Sequence, residues 1–254
     1  MKNYWIQTDS PVATWVIDVR PALPNPAALL QFCRSLLASA RRAGLLLPPP
    51  GGQTHLDPID GMQQRFQSEG ILELCRGSAW TEAAAEVSWY LTDGSIANGP
   101  VRDLGVLLGS LEPLPGSIPR AFMVAGEGPV TVRGPKIRYD RDRRTLVSDP
   151  LSTTIAIATY SDIWCPFVCG AAHPWADFRR RFDNRELASL HTPRLNEFLG
   201  EARRGASEIG CSWELAADES DATCGAWLRT SGIALDGPIP ELMPPGAEDV
   251  PWQP

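Results

Sequence analysis

The chain has 254 residues, 43% of them hydrophobic and 21% charged, with a formal net charge of −7. A length of this order fits one large domain or two small ones and buries roughly three quarters of the surface that the unfolded chain exposes. The acidic balance excludes non-specific binding to nucleic acid or to anionic lipid, both of which reward a basic surface, and no apolar run approaches the ~20 residues of a membrane span.

The opening residues, MKNYWIQTDSPVATW, carry one lysine and no apolar core before a small-residue cleavage site. They do not read as a secretory signal, so the expected location is cytoplasmic. ATWVIDVRP is then a β-branched run bounded by Pro11 and Pro21. A helix follows, with Asn25 as its cap, Pro26 as its first residue and an apolar stripe of Leu29, Cys33, Leu36 and Ala40. Gly44 ends it, and residues 48–52 break the chain. Residues 53–80 read as part helix and part strand without settling on either. AAEVSWYLTDGSI is a strand entering a tight turn at Asp93 and Gly94.

Residues 119–149 are rich in strand and turn residues, with Gly126, Gly128 and Gly134 as breakers. Within them, residues 133–144 carry six basic and two acidic side chains, and Arg141, Arg143 and Arg144 are expected at an exposed hairpin tip. LSTTIAIATYSDIW is a central strand by its isoleucine and threonine content. The second helix is expected to be capped by Thr192 and opened by Pro193, to bury Leu195, Phe198, Leu199, Ala202, Ala206 and Ile209, and to close at Gly210 before the strand CSWEL. From Asp236 onward six prolines, four acidic residues and no basic one predict an extended or disordered tail, residues 236–254.

The order β, α, several β, α, β predicts a single α+β domain over residues 1–235, with a mixed or antiparallel sheet and two main amphipathic helices. Both helices pair a cap with proline, contain ARR and stop at glycine, which suggests two pseudo-repeated βαβ halves.

Three constellations hold chemistry-bearing residues. Cys165, Cys169 and His173 recur at four-residue intervals in WCPFVCGAAH. Thiolate and imidazole suit zinc, with Cys211 or Cys224 as a fourth ligand, but three ligands spaced along one helix are too linear to surround an ion. The bland alternative is a buried strand end, IWCPFVCG, whose two cysteines pack against the core. The six cysteines of the chain, at positions 33, 75, 165, 169, 211 and 224, are expected to be reduced and mostly buried as small hydrophobes. RRRFDNRELASLHTPRLNEF, residues 179–198, sets Asp183, Arg185, His191 and Arg194 close together. Asp183 with His191 would make an acid–base pair, and Arg185 or Arg194 would clamp an anion. His55 and Asp57 form an H-x-D triplet that a turn after Gly51 and Gly52 also explains.

No G-x-x-x-x-G-K-[ST] loop and no G-x-G-x-x-G after a strand occurs. Tyr139 is the single aromatic in the basic stretch, which is thin support for nucleic-acid recognition. Trp5 and Trp252 near the ends of the chain are candidates for contact with a partner.

DIWCPFVCG followed by FDNRELASLHTPRLNEFL, residues 162–199, resembles a group of uncharacterised bacterial proteins with a D-N-R-x-L-A…H-T-P-R-L-N segment. The resemblance covers about a sixth of the chain. It implies a bacterial origin and carries over no fold, activity or site residue. The function expected from the whole sequence is binding to another protein, in the manner of an immunity protein that neutralises its partner. The alternatives are a small enzyme acting on an anionic substrate around Asp183 and His191, with no cofactor, and a zinc domain built on Cys165, Cys169 and His173.

Overall fold

The computed structural model describes residues 10–45, 57–77, 85–90, 96–101, 130–143, 145–147, 150, 152–169, 179–216 and 224–245. These residues form an α+β fold centred on a five-stranded antiparallel sheet with three helices, as the alternation of elements predicts. In chain order the sheet strands are β1 (Ala13–Asp18), β2 (Ile71–Gly77), β5 (Val130–Arg138), β6 (Thr154–Thr159) and β9 (Ser212–Leu215). They lie side by side as β2-β5-β6-β1-β9. The short strands β3 (Ala85–Tyr90) and β4 (Ile96–Val101) pair only with each other among the described residues, and so do β7 (Phe167–Val168) and β8 (Phe182–Asp183).

Period-two alternation sets the inward face. In β1, Ala13, Trp15 and Ile17 are buried while Thr14, Val16 and Asp18 are half-buried. Trp15 lies opposite Ile157 of β6, and Ile17 opposite Ile155. The same cluster takes in Leu29, Phe32, Leu36 and Leu37 of α1 (Pro26–Arg42), Met62 and Phe66 of α2 (Pro58–Glu69), and Leu195, Phe198 and Leu199 of α3 (Arg185–Glu208). Burying one such side chain stabilises the fold by about 1.5–3 kcal/mol, so these stripes anchor the helices.

Asn25 caps α1 as expected, its side chain accepting from the Ala28 amide at 3.2 Å. The ambiguous segment resolves into α2 followed by β2. Asp57 caps α2 by accepting from the Ile59 amide at 2.9 Å and joins Arg41 of α1 at 2.7 Å. The capping and ion pairing of Asp57 account for half of the H-x-D triplet; His55 lies outside the described residues.

Two expectations are corrected. The helices do not sit in equivalent halves. β6–α3–β9 joins two strands that run parallel with β1 between them, whereas β1–α1–α2–β2 joins antiparallel strands at separate places in the sheet. The second helix also begins at Arg185, so Pro193 lies in its interior.

The first part of the tail is extended and docked. Arg181 bonds through its amide to Glu241 O at 2.9 Å and through its carbonyl to the Met243 amide at 3.0 Å, while Trp227 Nε1 donates to Pro238 O at 3.2 Å. Met243 packs against Val168 and Phe182. Among the described residues no helix is long and apolar enough to cross a membrane.

Candidate functional site

Apart from Asp57, the catalytic, anion-binding and basic-loop candidates among the described residues fall into two places, a polar knot where α3 meets the segment 161–169 and an exposed hairpin after β5.

In the knot, the helix entrance holds four consecutive carbonyls. Asn184 is fully buried, and its Nδ2 donates to Ile163 O and to Cys165 O at 2.9 Å each. Its amide donates to Pro166 O at 2.9 Å. Thr192, two turns further on, donates from Oγ1 to Trp164 O at 2.6 Å. A hydroxyl given to another segment does not cap its own helix, which is why Thr192–Pro193 misleads as a helix start. Asn184 Oδ1 has no hydrogen-bond partner among the described residues.

Asp183 and His191 are engaged separately. Asp183 Oδ1 accepts from the Arg185 amide at 3.0 Å, and the Arg185 side chain returns to the carboxylate from Nε at 3.0 and 3.2 Å and from Nη2 at 2.6 Å. Those bonds hold the Asp183 carboxyl below the usual carboxylate range. The Arg185 guanidinium also lies 5.5 Å from the centre of the Phe167 ring.

His191 is 4% exposed and meets the Trp164 ring edge-on at 6.4 Å. Its Nδ1 lies 3.1 Å from Arg194 Nη2. A guanidinium can only donate, so Nδ1 is the acceptor and the ring proton sits on Nε2. Burial, helped by the Arg194 charge, pushes the His191 pKa down to about 4 and keeps the ring neutral at ordinary pH. The Arg194 guanidinium lies 5.8 Å from the Trp164 ring centre. Asp183 and His191 are thus each paired with a different arginine.

The cysteines divide the same way. Cys165 is joined to Cys224 in a disulfide, with Cα atoms 6.2 Å apart. A sulfur in that bond offers no thiolate to a metal. Cys169 is buried with its sulfur against Arg181 Nη1, and burial pushes its thiol up to about 11. Among the described residues no three His, Cys, Asp or Glu side chains are placed to hold a metal ion. His173, the third candidate ligand, lies outside the described residues, as does Arg144. The sequence offered Cys224 only as a possible zinc ligand, not as the disulfide partner of Cys165, and it gave Arg181 no contact with Cys169.

The hairpin is built on Tyr139. Its ring is buried edge-on to Phe66 at 5.9 Å, its hydroxyl donates to Leu23 O at 3.1 Å, and its amide donates to Gly70 O at 2.8 Å. Asp140 continues the ladder by donating its amide to Thr145 O at 2.7 Å. Its Oδ1 accepts from the amides of Asp142 at 3.0 Å and Arg143 at 2.7 Å, a self-made turn. Arg141 and Arg143 project from that turn, both exposed. On the returning limb Leu146 is 41% and Val147 57% exposed. The base beneath carries Lys136 and Arg65, each paired with Glu73, at 3.2 and 3.1 Å. The hairpin is pinned at its root, with Arg141 and Arg143 exposed on its turn and Leu146 and Val147 exposed on the returning limb.

No family model, no curated protein and no solved structure matches the chain.

Proposed function

We propose that the protein works by binding another protein through the hairpin at residues 139–147, as an immunity protein does when it neutralises its partner. The observation that supports this reading is the exposure of Leu146 and Val147 beside Arg141 and Arg143 on a turn fixed by Asp140. Arginine and desolvated aliphatic surface are the ingredients of interface hot spots, and a pre-formed turn lowers the ordering cost of association. The chain as a whole is acidic, so this local basic element favours an acidic surface on the partner. Nucleic acid fits the tip less well, because Tyr139 is buried in the core and offers no ring for a base to stack on.

The test begins with identifying the protein that co-purifies with the native chain, then reconstituting the pair from purified components. Arg141→Glu with Arg143→Glu is expected to weaken binding at least tenfold, about 1.4 kcal/mol, and to flatten its salt dependence. Leu146→Ser with Val147→Ser is expected to weaken it while leaving the salt dependence intact. Wild-type affinity in both variants would rule out the hairpin as the binding element. If the partner is a toxin, co-expression of the wild-type chain should restore growth and the charge-reversed chain should not.

A further inference from the structure

The disulfide between Cys165 and Cys224 spans 59 positions of sequence and lies in the hydrophobic core. Both cysteines are fully buried. Around it, Phe167 packs on Trp227 with ring centres 5.5 Å apart. Trp15 Nε1 donates to Arg229 O at 3.0 Å, and Asn196 bonds both the amide and the carbonyl of Ile233 at 2.9 Å. Contacts from β1, α3 and the 161–169 segment therefore fix Trp227, Arg229 and Ile233, and Cys224 is buried in the same core as Cys165. No soluble oxidant reaches those sulfurs once the contacts are made.

We propose that oxidation of Cys165 and Cys224 is a maturation step coupled to folding, carried out by thiol–disulfide exchange with an external disulfide donor before residues 224–234 dock. It follows that the protein folds in a compartment that supplies such a donor, and not in the reducing cytoplasm that its opening residues suggest. The thiolate of one cysteine attacks the donor disulfide, forming a mixed disulfide and releasing one donor thiolate. The thiolate of the other cysteine attacks the protein sulfur of that mixed disulfide, closing the Cys165–Cys224 bond and releasing the second donor thiolate. The two cysteines lose two electrons and two protons, and the donor is reduced to two thiols.

The pairing is not the one that chain statistics favour. Cys211 stands 13 positions from Cys224, and Cys169 four from Cys165. Closure of the shorter Cys211–Cys224 loop is roughly tenfold more probable in an unfolded chain than closure of the longer one. The fold overrides this by occupying the competitors. Cys169 is held against Arg181, and Cys211 is buried, its amide donating to Ala206 O at 2.9 Å where α3 ends. The native pair is thus selected by the folding of the rest of the chain, and the donor must act while residues 224–234 are still undocked.

The test counts thiols in the wild-type protein taken from its own cells. Acid quenching, denaturation and alkylation without reductant should label four of the six cysteines, and prior reduction should label all six. Peptide mapping should find one crosslink, between Cys165 and Cys224. Six labelled thiols before reduction, or a crosslink through Cys169 or Cys211, would overturn the proposal. A second measurement follows the purified oxidised protein in dithiothreitol. The disulfide should survive in native buffer and open at least a hundredfold faster in denaturant. Equal rates would show that the bond is accessible in the folded state and would overturn the docking order.

Discussion

Asn184 and Thr192 share one economy of placement, each buried polar side chain being turned toward another segment and not toward its own helix, whereas His191 pairs with Arg194 of its own helix and meets Trp164 with its ring. Asn184 and Thr192 satisfy carbonyls that the turn at 162–164 leaves without strand partners. His191 contributes a pH dependence. Between its ordinary value of 6.5 and the folded value of about 4, the unfolded chain binds a proton that the folded chain refuses. The stabilisation is therefore complete above pH ~6.5, declines as the pH falls toward 4, and changes no further below that. The loss across the window is on the order of 3 kcal/mol. Urea midpoints of the wild type and of His191→Gln, which keeps an acceptor for Arg194, should diverge as the pH drops through this range, the variant losing less. Parallel profiles would place the imidazole in a wetter site than its burial indicates. The sequence made these residues conspicuous by crowding them together. It could not show their partners, because an arginine three or two positions away is equally available to Asp183 and to His191 until the backbone turns.

Elements with their own local grammar are the ones that can be read directly. α1 has a capping asparagine, a first-turn proline and a continuous apolar stripe, and it forms where these say it should. α2 has the same start in Asp57 and Pro58 but a sparse apolar face, so only its docking on Arg41 and β2 makes it plain. α3 imitates that start at Thr192–Pro193, two turns inside the real helix, and the imitation hides the first eight residues. What holds α3 to the C-terminal strands β10 (Leu228–Arg229) and β11 (Gly232–Ile233) is Asn196, bonding Ile233 on both sides. This contact requires glycine at position 232, where φ is +134° and a Cβ would fall on the Asn196 amide oxygen. Gly232→Ala should therefore cost about 2–4 kcal/mol, combining backbone strain with loss of the clamp. Gly210, at φ +73°, has no heavy atom of the described residues within 4 Å of where a Cβ would stand, so Gly210→Ala should cost only about 1 kcal/mol. Equal shifts in the denaturation midpoints of the two variants would mean that Asn196 yields freely and does not clamp β11.

At the scale of the whole molecule, strand order and cysteine pairing are both long-range properties, and neither has a local signature. The sheet places β9, from near residue 212, beside β1, from near residue 15, and the disulfide joins positions 59 apart. Antiparallel strands follow from the β-rich middle, but the insertion of β1 between β6 and β9 depends on which apolar faces α1 and α3 cover together. The disulfide adds to this arrangement by restricting the unfolded chain. Closing a loop of this length is worth about 4 kcal/mol in the chain-entropy description. For a protein of this size that corresponds to roughly 8–16 °C in Tm. The double variant Cys165→Ala, Cys224→Ala should melt lower by that amount, with part of the loss coming from the small cavity left by two buried sulfurs. Cys169→Ala removes one buried sulfur but no crosslink, and its Tm should fall by a small fraction of that. The comparison separates the crosslink from the packing. If the two variants melt together, the contacts of Trp227, Asn196 and Trp15 hold the C-terminal strands without help from the bond, and the crosslink matters to the route of folding more than to the stability of its product.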